Sequence, residues 1–385
     1  MRLRVVQLIT GLGVGGAERL LLNTLRHLSS EEFDVRVICL YNNGSIGREI
    51  EALGIPVTDV GMSSLGDVVG VLRLRKMLKQ LQPQILHTHL FRSNLWGRLV
   101  GASLRIPIVI SSEHSLTRTH FEGRPRTKWL TRLDTALSRL CGAVIAVSES
   151  TRGLLLENGV AANKIVFIPN AIDTTLYRDQ DGTSIRRELQ LEHAKVVTVV
   201  GRLVPQKNHR LLIAAFPSVV DRAPLARLLI VGDGPLRDEL EAQVPASFRN
   251  SVHFLGTRSD IPQIMAASDV VVLPSSYEPF GMVLVEAMAA ARPVIGTRVD
   301  GIPELIDDGI TGLLVPPDDS VALSDAILRI LLDESGAQSM RAAGQRNSTR
   351  FDIRTSAALL RDLYHRLYAN YELRYSDPTR KDMKL

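Results

Sequence analysis

Cysteine is nearly absent from this sequence: 385 residues hold two, Cys39 and Cys141, each in an apolar, strand-like stretch. That excludes a disulfide scaffold and points to buried thiols in a reducing compartment. Aromatic residues make up only 5%, with no repeated aromatic platform and no recognisable reading helix, which argues against a nucleic-acid-binding protein. No apolar run approaches the roughly 20 residues of a spanning helix. The opening MRLRVVQLIT carries two arginines before an apolar run too short for a secretory signal and then enters a glycine loop. A cytoplasmic protein is the expectation. Low-complexity stretches are few, and the length suits two globular domains.

Positive charge is unevenly spread. Residues 1–170 hold 21 Lys plus Arg against 13 Asp plus Glu, whereas the remainder holds 25 against 28. A basic first half under a net charge of +5 suits an anionic partner: nucleic acid, an anionic membrane surface or a diphosphate-bearing lipid.

The most informative stretch runs from Asp269 to Ala290. Val270 to Leu273 reads as a buried strand that stops at Pro274, turns through Ser275 to Phe280 and becomes a helix from about Gly281. Such a junction holds ligands in α/β domains, because the first helical amides and the helix dipole favour an anion. Glu278 lies in the turn, and Glu286 lies in an otherwise apolar helix, where an unpaired charge is costly. Carboxylates repel phosphate, so these two suit neutral donors: sugar hydroxyls at Glu278 and a ribose diol at Glu286. A phosphate flanked by two hydroxyl-bearing rings is a sugar nucleotide.

Elsewhere strands and helices alternate. Leu3 to Ile9 precedes the loop Gly11 to Gly16, whose glycines at 11, 13 and 16 spell a dinucleotide fingerprint. The acid that should close the second strand is missing: Asp34 stands before it, and Tyr41, Asn42 and Asn43 follow, which disfavours a dehydrogenase. His87 and His89 form a His-x-His pair without a third ligand of convincing spacing, so no metal is expected there. The segment Arg118, Arg124, Arg126, Lys128, Arg132 with Phe121 and Trp129 suits a phosphate-rich acceptor, a membrane surface, a loop closing over substrate or nucleic acid, and its place beside the cleft favours the first two. A basic helix from Val68 to Leu81 reads as a solvated face or a lipid-facing one. Asp179 and Asp181 have metal-binding spacing but follow no buried strand. After the strand Val196 to Val200, Gly201 introduces Arg202 and Lys207, a fork and a point charge fit to clamp a diphosphate. Gly256, Thr257 and Arg258 follow another strand and form the expected cradle of a nucleotide base, read by backbone groups. Asp260 is the expected cap of the next helix.

Glu278 and Glu286, separated by seven residues within Pro274, Ser275, Glu278, Phe280, Gly281, Glu286 and Ala287, resemble the motif of the retaining glycosyltransferases of family 4. The resemblance covers nearly the whole chain. It implies a GT-B fold: two Rossmann-like doubly wound domains facing across a cleft, residues 1–175 for the acceptor and 184–355 for the nucleotide sugar, with residues 356–385 as a helix returning to the first domain. It also implies metal-independent transfer to an acceptor hydroxyl with retention of configuration, UDP-sugars being the commonest donors. By the same resemblance Gly15 and Gly16 line the donor phosphates and acceptor. Arg202 and Lys207 hold the diphosphate, His114 meets the transferring sugar, and Phe280, Gly281, Met282 and Val283 carry the helix start beside Glu278 and Glu286. The implied partners are a nucleotide-sugar donor and a glycan or lipid-linked acceptor at the inner face of a membrane. A noncatalytic sugar-nucleotide or anionic-lipid binding protein is the alternative.

Overall fold

A computed structural model describes residues 2–116, 119–121, 124–125 and 127–375. Two compact units divide the chain, Met1–Ala171 with Ile353–Leu385, and Ile172–Asp352.

The first unit is built on a parallel sheet of β1 (Leu3–Ile9), β2 (Phe33–Cys39), β3 (Val57–Asp59), β4 (Ile85–His89), β5 (Ile108–Glu113), β6 (Ala143–Ala146) and β7 (Ile165–Phe167), ordered β3-β2-β1-β4-β5-β6-β7. Side chains of successive residues leave a strand on opposite faces, and both faces of β1, β5 and β6 are covered, so these read as mostly apolar runs, whereas the edge strand β3 is largely exposed. Leu3, Val5, Ile85, Ile108, Ile110 and Ile145 pack on Leu360, Leu363 and Tyr364 of the C-terminal helix Ile353–Tyr375. Val6, Leu8, Ile38 and Leu86 pack on Leu74 and Leu78 of the helix Val68–Leu81. Asp67 caps that helix by accepting from the Gly70 amide at 2.8 Å.

The second unit repeats the plan with β8 (Lys195–Val200), β9 (Ala226–Val231), β10 (Val252–Gly256), β11 (Val270–Leu273), β12 (Val294–Thr297) and β13 (Leu313–Val315), ordered β10-β9-β8-β11-β12-β13. In β11, Val270 and Val272 enter a core with Leu212, Phe216 and Ile327, while Val271 and Leu273 enter another with Leu284, Val285 and Met288. Strand order reverses direction between β1 and β4 and between β8 and β11. At such a switch point the following segments leave in opposite directions and open a crevice at the strands' carboxyl ends. Gly11 to Gly16, His89 and His114 stand at one of these ends, and Arg202 and Glu278 at the other.

Close backbone approach fixes the rim of the second crevice. Gly232, after β9, has φ +133, its amide donates to the Gly256 carbonyl at 2.8 Å, and a Cβ there would lie 2.1 Å from the Gly201 oxygen. Gly232→Ala is therefore expected to destabilise the protein by at least about 2 kcal/mol, strain and backbone clash together, read from a lower urea midpoint at unchanged slope.

Candidate active site

In the second unit the chain leaving β8 is pinned before it reaches its cations. The Gly201 amide donates to Val231 at 2.9 Å and the Leu203 amide to Asp233 at 3.0 Å, with the Leu203 side chain fully buried. Arg202 projects outward and is exposed. A short helical turn, Pro205–Lys207, then directs Lys207 inward. Its Nζ lies 2.5 Å from Glu278 Oε2, and Ser275 Oγ donates to the same oxygen at 3.0 Å. Glu278 is only 8% exposed, and an ammonium and a hydroxyl on one oxygen compensate that burial. Backbone bonds fix the arrangement. Ser276 N donates to Gln206 O at 2.9 Å, Gln206 Nε2 to Tyr277 O at 3.2 Å, Glu278 N to Asp300 Oδ2 at 3.1 Å, and Gly301 N to Glu278 O at 3.0 Å.

The helix Met282–Ala289 follows, its N-cap Gly281 at φ +102, a left-handed conformation that glycine adopts without strain, and no side chain occupies the cap. Its first amides are thus available to an anion. Met282, Val283 and Glu286 are half-buried on it. Phe280 is different: its ring is buried edge-on to Phe351, centroids 5.5 Å apart, which leaves only its backbone for a ligand. Gly256 ends β10 and the exposed Thr257 follows it. Arg258 is held by Glu188 at 2.7 Å and by Asp260 at 2.7 Å. Asp260 thus corrects the sequence expectation: its carboxylate makes no cap bond, because the neighbouring guanidinium is a stronger partner than an amide, and hydrogen bonds from Arg258 hold its pKa below the usual range. Asp181 turns back on Thr183 N at 2.9 Å, a local turn contact.

In the first unit the glycine loop leaves β1 with Leu12 buried and bonded to Asn42 O at 2.9 Å. Gly15 is the extended N-cap of the helix Gly16–His27. Beside it, polar groups the sequence left unconnected form one chain. Ser112 Oγ lies 2.8 Å from His87 Nε2, and His87 Nδ1 lies 2.7 Å from Tyr364 Oη. Gln7 Nε2 lies 2.9 Å from Tyr364 Oη, and Gln7 Oε1 lies 2.8 Å from His89 Nε2. His89 Nδ1 reaches His114 Nε2 at 3.3 Å, the two rings stacked. The His-x-His nitrogens are engaged in this chain. Burial, with the neighbouring imidazoles adding to it, pushes the His87 pKa down to about 3 and His89 well below its usual value. Burial brings His114 down to about 4, with the Asn170 amide opposing. Nothing in sequence named Gln7 and Tyr364 as the links between these strand ends.

A second buried group also escaped sequence reading. Arg98, wholly buried, bonds Glu113 at 2.7 Å, Asp134 at 2.6 Å and Ser111 Oγ at 2.9 Å. It ties the strand end that carries His114 to the helix Lys128–Ser138, where Lys128 and Trp129 are exposed, Trp129 at 67%. Arg124 is exposed just before it; Arg118 and Arg126 lie outside the described residues.

The three histidines dictate a pH response. Their folded pKa values lie below the ordinary 6.5, so the unfolded chain binds more protons as pH falls through 6.5, and stability declines with acidification. Between about pH 6.5 and 4 the slope of unfolding free energy against pH should be shallower in His87→Gln/His89→Gln than in the unaltered protein, as checked by urea titrations across that range.

With this geometry in view, similarity to known proteins is extensive. Residues 194–333 match the glycosyl transferases group 1 and residues 14–176 match Glycosyltransferase Family 4. The chain is 30% identical over 291 residues to alpha-D-kanosaminyltransferase of Streptomyces kanamyceticus, covering 71% of this chain and 75% of that one. It is 27% identical over 338 residues to the UDP-Gal:alpha-D-GlcNAc-diphosphoundecaprenol alpha-1,3-galactosyltransferase of Escherichia coli, covering 83% and 86%. The crystal structure of Anabaena HepE with UDP-glucose superposes with a TM-score of 0.84 at 26% identity, covering 94% of this chain and all of that one. Two parallel doubly wound units and these relatives agree: the chain is a glycosyltransferase of family 4 with the GT-B fold.

Proposed function

We propose that this glycosyltransferase moves a sugar from a nucleoside diphosphate sugar, UDP-linked in the first instance, to a hydroxyl of a lipid-linked glycan, retaining anomeric configuration without a metal. The observation that carries the reading is the Lys207–Glu278 pair at 2.5 Å, set beside exposed Arg202 and the uncapped start of the helix Met282–Ala289. As the bond from the anomeric carbon to the diphosphate breaks, negative charge gathers on the departing oxygen. Arg202, Lys207 and the helix amides stabilise it, the work a metal does in other folds. The acceptor oxygen attacks from the same face and its proton passes to the departing phosphate. Glu278 orients the sugar hydroxyls, Glu286 the ribose diol, His114 the sugar's other edge, and the backbone of 256–258 the base. Gly15 and Gly16 allow close approach to phosphates and acceptor.

The named substrates of the E. coli galactosyltransferase and the UDP-glucose held by HepE support a UDP-sugar and a polyprenyl-linked acceptor. Among the described residues no helix is long and apolar enough to cross a membrane, so contact with such an acceptor falls to the surface. Val68, Val69 and Leu72 are exposed, Val68 at 70%, on a helix that also carries Arg73, Arg75, Lys76 and Lys79. Together with exposed Trp129 and Lys128 they favour peripheral binding to an anionic cytoplasmic leaflet.

UDP-glucose at about 100 times its dissociation constant should stabilise the folded protein by about 2.7 kcal/mol, seen as a raised Tm. Arg202→Ala and Glu286→Ala should lose most of that rise. Lys207→Ala should lower turnover by about 10²-fold or more, while EDTA leaves turnover unchanged and product NMR shows the donor's anomeric configuration. Binding without turnover with any polyprenyl-linked acceptor would favour a sugar-nucleotide-binding protein. In low salt the protein should sediment with phosphatidylglycerol vesicles, and Val69→Ser/Leu72→Ser/Trp129→Ser should sediment less; a protein indifferent to these vesicles has no membrane surface.

A further inference from the structure

The chain from Ser112 to His114 has a direction, and the direction depends on one amide. In one direction Gln7 Nε2 donates to Tyr364 Oη, the phenol donates to His87 Nδ1, and His87 Nε2 donates to Ser112. From the other end of the carboxamide, His89 Nε2 donates to Gln7 Oε1 and His114 Nε2 donates to His89 Nδ1. All three imidazoles are then neutral Nε2–H tautomers, consistent with the depressed pKa values that burial imposes. His114 Nδ1 is left as an acceptor, and it has no partner. Asn170 Oδ1 is also buried without one, in a residue only 8% exposed. Both residues line one cavity of about 40 Å³ with Gln7, Thr24 and Ser112. Two orphaned acceptors in one buried space cost roughly 1–3 kcal/mol each.

Rotating the Gln7 carboxamide by half a turn reverses every bond. Tyr364 then donates to Gln7 Oε1, His87 Nδ1 to Tyr364 and Ser112 to His87 Nε2. On the other side Gln7 Nε2 donates to His89 Nε2 and His89 Nδ1 to His114 Nε2, and the His114 Nδ1 proton is then offered to the cavity it shares with Asn170. The same protons serve both arrangements and each imidazole stays neutral, so only tautomers and one amide change. The reversed order turns one of the two orphaned acceptors into a donor, so the cavity then holds a donor and an acceptor that a small side-chain adjustment or one retained water joins.

We propose that these residues form a hydrogen-bond chain that reverses as a unit about Gln7, making His114 Nδ1 a donor to Asn170 when the site is empty and an acceptor when a polyol brings O–H groups to His114 and Asn170. The ligand class is a sugar that offers two O–H donors, or one with a water retained in the cavity. Gln7, His89 and Tyr364 are positioning residues that hold the tautomer. The sugar half rests on the reading that the donor's sugar meets His114; the coupling itself does not.

Histidine ¹⁵N NMR at neutral pH reads the tautomers directly. In the ligand-free protein His87, His89 and His114 are expected as Nδ1–H. Asn170→Leu removes the terminal acceptor and should turn all three to Nε2–H, including His87, which touches neither residue 170 nor His114 in the chain. Adding Gln7→Met should cut the link, so that His87 no longer follows. Should Asn170→Leu fail to fold, Asn170→Ala gives the same readout. A His87 tautomer indifferent to residue 170 overturns the proposal, as does UDP-glucose that binds and leaves Nδ1–H in place. Failure of UDP-glucose to bind counts against the functional reading and leaves the ligand-free result to decide the chain.

Discussion

A polar side chain at the end of a buried strand has no water to bond and must be met by another side chain, and this constraint organises both units. Parallel sheets covered on both faces leave polar groups one place to gather, the carboxyl ends of their strands. Arg98 states the requirement most starkly: a wholly buried guanidinium is held by Glu113, Asp134 and Ser111, and without it two buried carboxylates would be left with no cation between them. Those contacts tie the strand end beside His114 to the helix that carries Trp129.

The two units meet the same constraint with different chemistry. At the switch point of the second sheet, charge is balanced locally, ammonium against carboxylate, with Arg202 left outward and amides uncapped. Arg202 and the uncapped amides favour an anion there. At the switch point of the first sheet the groups are neutral, since imidazoles deep in an apolar setting shed their protons. A neutral, directional chain meets hydroxyls better than phosphates.

Alternation of apolar runs and glycine turns placed the strands, because burial on two faces leaves an unmistakable composition. The spacing of Glu278 and Glu286, and of Arg202 and Lys207, was also legible, being local to one turn each. Partnerships were less so. That Lys207 reaches Glu278, 71 residues away, follows from adjacency of β8 and β11, a pairing no spacing reveals. Asp260 was misjudged because an aspartate before a helix ordinarily caps it, and only the fold shows that Arg258 lies closer.

The sequence by itself determined two doubly wound units, their glycine turns and the acids and bases at their strand ends, since these follow from periodicity and from the chemistry of adjacent residues. The tertiary structure alone decided which of those groups touch. Tyr364 meets Gln7 across 357 positions because the C-terminal helix packs on the first sheet beneath β1 and β4. Contacts of that separation depend on strand order and helix packing, which a linear pattern does not encode.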